Sequence, residues 1–346
     1  MSQRARGPHP LPLFLAHVAK ACGDDRDRLA RILAGLRRYQ EAPVAAPRPQ
    51  HRVIAQSDGV MLCDFGGSGP PVVLVPSLIN PPSVLDLADG NSLMAGLAAR
   101  GFRVLMIDWG VTEPAGLAAL VASRLVPLVA GVVAGLGEPA ALVGYCLGGT
   151  LALGAATLLG DRISRIVLMA TPWHFGGYDD AARAGMARWW EGAGPLAAGM
   201  GALPMDLLQP AFWALDSAAL AAKYEKFAML PNGAETAAFA ALEDWSNTGQ
   251  PLSLAAAHDL TGDLFAADST GRGEWRVAGE AIVPARLGIP ILDIIATRDR
   301  IVPPGAALST SGIGTPLALD AGHVGMVVGG RAPRLLWDPL ATWLRA

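Results

Sequence analysis

Residues 140–160 read AALVGYCLGGTLALGAATLLG. The apolar run Ala141 to Gly144 leads into Gly144-Tyr145-Cys146-Leu147-Gly148-Gly149, and a stretch with helical character follows. A strand, a tight turn and a helix in immediate succession make a nucleophile elbow. Gly144 and Gly148 flank the turn because strand and helix approach too closely there to leave room for side chains. The residue between them is held in a strained conformation that pushes its side chain into a cleft. Here that residue is a thiol, Cys146, where most such elbows carry Ser. Its place at a helix N-terminus favours thiolate, and backbone N–H groups there can hold an oxyanion. A free cysteine is otherwise often a small buried hydrophobe, so the elbow must be read with its surroundings.

Downstream, Asp299 follows an apolar run in ILDIIATRDRIVPP (291–304), and His323 lies in LALDAGHVGMVVGG (317–330). Either residue alone has a bland reading, Asp299 as a turn or cap before Pro303-Pro304 and His323 as a loop histidine. Nucleophile, acid and histidine in this chain order, the last two each just past a late strand, is the order of the α/β-hydrolase fold. The runs expected as strands are Arg52–Gln56, Val60–Phe65, Val72–Val75, Val104–Ile107, Ala141–Gly144, Ile166–Met169, Ile291–Ala296 and Leu317–Leu319. Helical stretches alternate with them, which predicts an α/β protein whose mostly parallel sheet is covered on both faces. The long gap between the runs at Ile166 and Ile291 is filled by an Ala-, Leu- and aromatic-rich stretch, expected to be a mainly helical cap over the carboxyl ends of the strands. The expected organisation is therefore a helical preface and Pro-rich linker at 1–50, a core at 51–172 and 288–346, and a cap at 173–287.

The chain has 346 residues, 52% hydrophobic and 16% charged, which excludes a disordered protein. With 27 basic and 30 acidic residues it carries a net charge of -3, and no basic stripe marks it for nucleic acid. Cys22, Cys63 and Cys146 are odd in number and far apart, which fits a reducing compartment better than a disulfide framework. The first residues show no secretory pattern, because Pro10, Pro12 and His17 break the apolar stretch. Gly116–Leu136 is long and apolar enough to imitate a membrane span, but it reads as a buried helix between two strands of one sheet, and a cytoplasmic protein is expected. No HExxH, P-loop or dinucleotide fingerprint is present, so neither metal nor cofactor is expected.

GYCLGGT resembles the modified lipase box of polyhydroxyalkanoate synthases, in which Cys replaces Ser. VVLVPSLINPPSVLDL at 72–87, VLMIDWG at 104–110, RDRIVPP at 298–304 and AGHVGMVVG at 321–329 resemble the same family, in the same order. The length is similar to that of the short synthases that work with a second subunit. The resemblance implies Cys146 as nucleophile, His323 as general base and Asp299 as the residue that orients and polarises it. It implies oxyanion donors at the N–H groups of Leu147 and, just after the third strand, Ile79. Asn80, Asp86, Trp173 and Trp245 are the candidate substrate contacts, with capping and turn roles open for Asp86. Arg286, Arg298 and Arg300 are candidates for the CoA phosphates by proximity to the motifs. The chain departs from the family at Arg300, where the family often has His, and at Val328-Gly329-Gly330, where it often has an Asn-Pro segment.

The implied activity is transfer of hydroxyacyl groups from CoA thioesters to a growing polyester, in the cytoplasm or at the surface of polyester granules. The implied partners are hydroxyacyl-CoA and the polyester chain; a homo-oligomer and a second synthase subunit both remain open. Two other readings remain. The same three residues with water as acceptor would give a thioesterase, an esterase or an intracellular depolymerase. A granule-associated protein could keep the fold without turnover.

Overall fold

The computed structural model describes residues 6–44, 48–110 and 114–346. Parts of the expected preface and linker, residues 1–5 and 45–47, lie outside the described residues. Eight strands form one sheet: β1 (Arg52–Ser57), β2 (Val60–Gly66), β3 (Pro71–Val75), β4 (Arg103–Asp108), β5 (Ala140–Tyr145), β6 (Ile163–Met169), β7 (Ile291–Ala296) and β8 (Thr315–Leu319). Their order across the sheet is β1-β2-β4-β3-β5-β6-β7-β8. β2 runs antiparallel to both β1 and β4, and the pairings from β4 to β8 are parallel. Every residue of PVVLV in β3 and AALVGY in β5 is buried. Such unbroken apolar runs suit parallel strands covered on both faces. The β1–β2 hairpin turns on Asp58-Gly59, both at positive φ (42° and 85°), the conformation a two-residue hairpin loop requires.

The strand order places the functional end of the sheet. The chain passes from β3 to β4 on one side and then crosses back over β3 to reach β5, so the carboxyl ends of β3 and β5 lie side by side at the switch point. Ligands bind outside the carboxyl ends of strands at such a point. The crossover is the apolar helix Leu117–Leu136, with a π-helical turn at Val121–Leu125. It has the length and hydropathy of a membrane span, yet it joins two strands of one sheet and buries Leu117, Leu120, Val121, Leu125, Leu128 and Val129. Its basic residue, Arg124, pairs with Asp58 at 3.2 Å.

The chain divides into two compact units whose limits run across the expected boundaries. One holds the sheet and consists of Gln50–Leu203 and Leu252–Ala346; the other joins Met1–Pro49 to Pro204–Pro251. The segments 173–203 and 252–287 of the expected cap thus belong with the sheet, while 204–251 belongs with the preface.

The second unit is helical, built from Leu11–Cys22, Arg26–Glu41, Met205–Leu215, Ser217–Met229 and Ala234–Ser246. Its centre is aromatic: the Phe14 ring meets Trp213 edge-on at 5.5 Å and Tyr224 at 5.2 Å. A methyl group on Gly35 would run into the Tyr224 carbonyl, so helices Arg26–Glu41 and Ser217–Met229 cross with backbones in close approach. Buried Glu243 accepts from Lys223 and from the Tyr224 hydroxyl, both at 2.6 Å. Tyr39 donates to Asp244 at 2.8 Å, and Arg6 donates to the same carboxylate. Burial and these carboxylates push the Tyr39 phenol well above its ordinary range. The preface is therefore half of a core. Phe14→Ala is expected to cost this unit about 3–5 kcal/mol, the range for an emptied aromatic site, and the drop in melting temperature with early proteolysis of residues 204–251 checks it.

Candidate active site

Cys146 sits between β5 and the helix Leu147–Leu159 with φ 54° and ψ -132°. A non-glycine residue at positive φ is strained, and the surroundings hold it there. The Cys146 N–H donates to the Met169 carbonyl at the end of β6 (2.9 Å), and its own carbonyl accepts from Gly149 (2.9 Å). A methyl on Gly144 would strike the Gly149 backbone, and one on Gly148 the carbonyl oxygens of Val75 and Pro76. The start of the elbow helix is thus pressed against the end of β3. Because the colliding atoms are backbone, Gly148→Ala is expected to cost about 3 kcal/mol or more, visible as a lower melting temperature. Of the three cysteines, Cys22 and Cys63 are buried and Cys146 is partly open to solvent.

Asp299 and His323 are brought together from the loops after β7 and β8. His323 Nδ1 lies 2.6 Å from Asp299 Oδ2, with the Asp299 side chain wholly buried. The other carboxylate oxygen accepts the N–H groups of Ile301 (2.7 Å) and Val302 (2.9 Å). The carboxylate is thereby held by three donors. With Nδ1 occupied, Nε2 is the ring nitrogen left for Cys146, which lies near enough to act on the imidazole pKa. Burial pulls the imidazole pKa down, but the neighbouring Cys146, the hydrogen bond to Asp299 and the Asp299 charge outweigh it and lift it to about 10. The arrangement favours imidazolium at His323.

Tyr145, next to Cys146 in sequence, supports the histidine: its hydroxyl donates to the His323 carbonyl (3.3 Å) and its ring lies 5.2 Å from the imidazole. Its pKa is driven well up by burial and by the charges of Cys146 and Asp299. Tyr178 is also within reach of those two charges. No motif marks either tyrosine for a role, and only the placement of Tyr145 beside the nucleophile gave a signal.

The other expected site residues are spread more widely. Leu147 supplies the first N–H of its helix, one with no acceptor inside the helix. The Ile79 N–H points to Ser77 Oγ at 3.4 Å, within the loop after β3 that also carries half-buried Asn80. Asp86 is buried and 3.1 Å from His51 Nε2. Trp173 is buried edge-on to Trp275 at 6.3 Å. Trp245 is half-buried on helix Ala234–Ser246 of the other unit. Arg298 is exposed and pairs with Asp320 at 2.8 Å. Among the described residues no cluster of three or more His, Cys, Asp or Glu could hold a metal ion.

The strand order and the elbow define an α/β-hydrolase-fold protein with cysteine at the nucleophile position. Solved structures share the fold: epoxide hydrolase A from Mycobacterium thermoresistibile matches with a TM-score of 0.51 at 19% identity over 86% of this chain and 98% of its own. A putative non-heme bromoperoxidase, BpoC, from Mycobacterium tuberculosis matches at 0.50 and 19% identity over 86% and 98%. No family model matches the chain. Poly(3-hydroxyalkanoate) polymerase subunit PhaC of Synechocystis is 27% identical over 92% of this chain and 91% of its own length. That of Thiocystis violacea is 27% identical over 79% and 80%. The chain also matches PhaC of Haloferax mediterranei at 27% identity over 79% of its residues, but spans only 58% of that relative's length. The chain thus has the α/β-hydrolase fold and is similar in sequence to poly(3-hydroxyalkanoate) polymerase subunits PhaC.

Proposed function

We propose that the chain is an acyltransferase that moves hydroxyacyl groups from CoA thioesters onto a growing polyester through Cys146. The observation that carries the reading is a partly open elbow cysteine close enough to raise the pKa of a histidine that is itself held by a buried carboxylate. The similarity to PhaC subunits supplies the substrate class.

In the first half-reaction the Cys146 sulfur attacks the thioester carbonyl, and the Leu147 N–H faces the oxyanion, with the Ile79 N–H as second donor. The C–S bond to CoA breaks, and His323 gives its proton to the leaving sulfur. One thioester has replaced another, a nearly isoenergetic exchange that keeps the acyl group activated. Serine would form a more stable ester at this point. In the second half-reaction, neutral His323 takes the proton of an incoming hydroxyl, whose oxygen attacks the acyl-cysteine. A C–O bond forms, the bond to Cys146 sulfur breaks, and the lengthened chain can reload the cysteine from its CoA end. Asp299 keeps Nδ1 protonated and Nε2 aimed at the reacting atoms.

The reading places the protein in the cytoplasm, in contact with the polyester it builds. Incubating the purified chain alone with 3-hydroxybutyryl-CoA tests it: CoA should be released, and a hydroxybutyryl adduct should appear on the Cys146 peptide by mass spectrometry. No release and no adduct would overturn it.

A further inference from the structure

The acyl-transfer reading assigns a partner to the acyl group but leaves the incoming hydroxyl held only by His323. The segment after β6 supplies a candidate. It starts beside the nucleophile, where the Met169 carbonyl accepts the Cys146 N–H, and turns sharply at Ala170, which has φ 46°. Thr150 Oγ1 donates to the Pro172 carbonyl at 2.7 Å. The N–H groups of Trp173 and His174 then both donate to the Ala306 carbonyl, at 2.8 and 3.0 Å. Phe175 N–H donates to Asp268 Oδ1 at 2.7 Å. The turn Phe175–Gly177 packs so tightly on the turn Pro304–Ala306 that a methyl on Gly177 would meet the Gly305 backbone. A run of backbone hydrogen bonds therefore carries the chain from Cys146 to the loop that follows Asp299, and Tyr178 comes at its end.

The Tyr178 ring stacks on Phe175 (5.9 Å, 13°) and leans on Phe265 (4.9 Å). Its hydroxyl has no hydrogen-bond partner among the described residues, although the side chain is largely enclosed. Burial first, then the charges on Cys146 and Asp299, push the phenol well above its ordinary pKa, so it stays protonated and can donate. Strand order decides which side of the nucleophile it serves. The loop after β3, with Ile79, flanks β5 on one side; the loop after β6, with Tyr178, flanks it on the other, toward β7 and β8 that carry Asp299 and His323. The segment that leads to Tyr178 thus leaves the sheet on the side of the nucleophile where Asp299 and His323 stand.

We propose that Tyr178 is the acceptor-binding residue of the second half-reaction: its phenol O–H donates to the oxygen of the incoming hydroxyl while that hydroxyl gives its proton to His323 Nε2. The inference rests on the acyl-transfer reading. No bond is made or broken to Tyr178, and its proton remains on the phenol throughout. The rings of Phe175 and Phe265 hold the phenol without its hydroxyl, so Tyr178→Phe keeps the packing and removes only the donor.

The test separates the two half-reactions by rapid quench with 3-hydroxybutyryl-CoA. Tyr178→Phe should release the first equivalent of CoA at the wild-type rate and then turn over about 10-fold more slowly, the loss expected for one transition-state hydrogen bond. The acyl-cysteine should accumulate in the variant, a signature that a merely loosened fold does not produce. A variant that elongates at the wild-type rate overturns the assignment and leaves the acyl-transfer reading standing. An equal loss in both phases also overturns it, since Tyr178 would then act on acylation or on the fold. Wild-type protein without a Cys146-dependent burst overturns the reading beneath it and this assignment together.

Discussion

Cys146→Ala is expected to reduce CoA release from 3-hydroxybutyryl-CoA by about 10⁴-fold or more, to the level of the uncatalysed exchange. The size of the effect follows from the covalent route: without the sulfur there is no acyl-enzyme, and the remaining N–H donors and histidine have no nucleophile to assist. The fold should survive, because Cys146 is partly open and alanine leaves the neighbouring glycine contacts untouched. An unchanged melting temperature with lost activity is the expected pair of results. Cys146→Ser is a sharper comparison. Its hydroxyl must be deprotonated by His323 at every attack, and the resulting ester is less reactive toward the next hydroxyl, so turnover should fall nearly as far even if slow acylation remains.

Asp299→Asn is expected to divide the reaction in two. Acylation uses the Cys146 sulfur itself as the attacking group, and a thiol, far more acidic than a hydroxyl, does not call for a strong base. Transfer to a hydroxyl does, because His323 must accept its proton with Nε2 correctly aimed. The first equivalent of CoA should therefore appear with modest slowing, while steady turnover drops by about 10²–10⁴-fold, the scale of a lost general base or misdirected tautomer. The same substitution removes charge and hydrogen bonding that raise the His323 pKa. A histidine pKa raised on folding contributes stability that is fully present below the unfolded value near 6.5 and is lost as pH rises through about 10. In the Asn variant that alkaline loss should begin at lower pH, which thermal unfolding between pH 6 and 10 would read directly.

The eight strands were legible because each is a short apolar run between polar or glycine-rich breaks, and the observed strands overlap all of the expected ones. Ends shifted where chemistry is mixed: β6 begins at Ile163 rather than Ile166 because Ile163 and Arg165 extend the pairing with β5 past a register shift at exposed Ser164. The elbow was legible because glycine spacing, a preceding apolar run and a following helix all act within a few residues. The partnership of the preface with residues 204–251 was not, since it depends on Gly35 meeting the Tyr224 backbone across the fold, a match that helical periodicity does not encode. Asp86 is similar: its partner His51 lies 35 residues away with no local pattern to link them. Tyr178 follows a segment fixed by backbone N–H groups donating to the Ala306 carbonyl and the Asp268 carboxylate, which no spacing announces.

The most direct measurement is the fate of the acyl group when purified protein turns over 3-hydroxybutyryl-CoA, followed as CoA release alongside chromatographic and mass analysis of the products. Acyl transfer through Cys146 predicts hydroxybutyryl oligomers, some recovered as thioesters on the Cys146 peptide, with little free 3-hydroxybutyrate. Free acid formed in step with CoA, and no oligomer, would contradict it and make water the acceptor at this site.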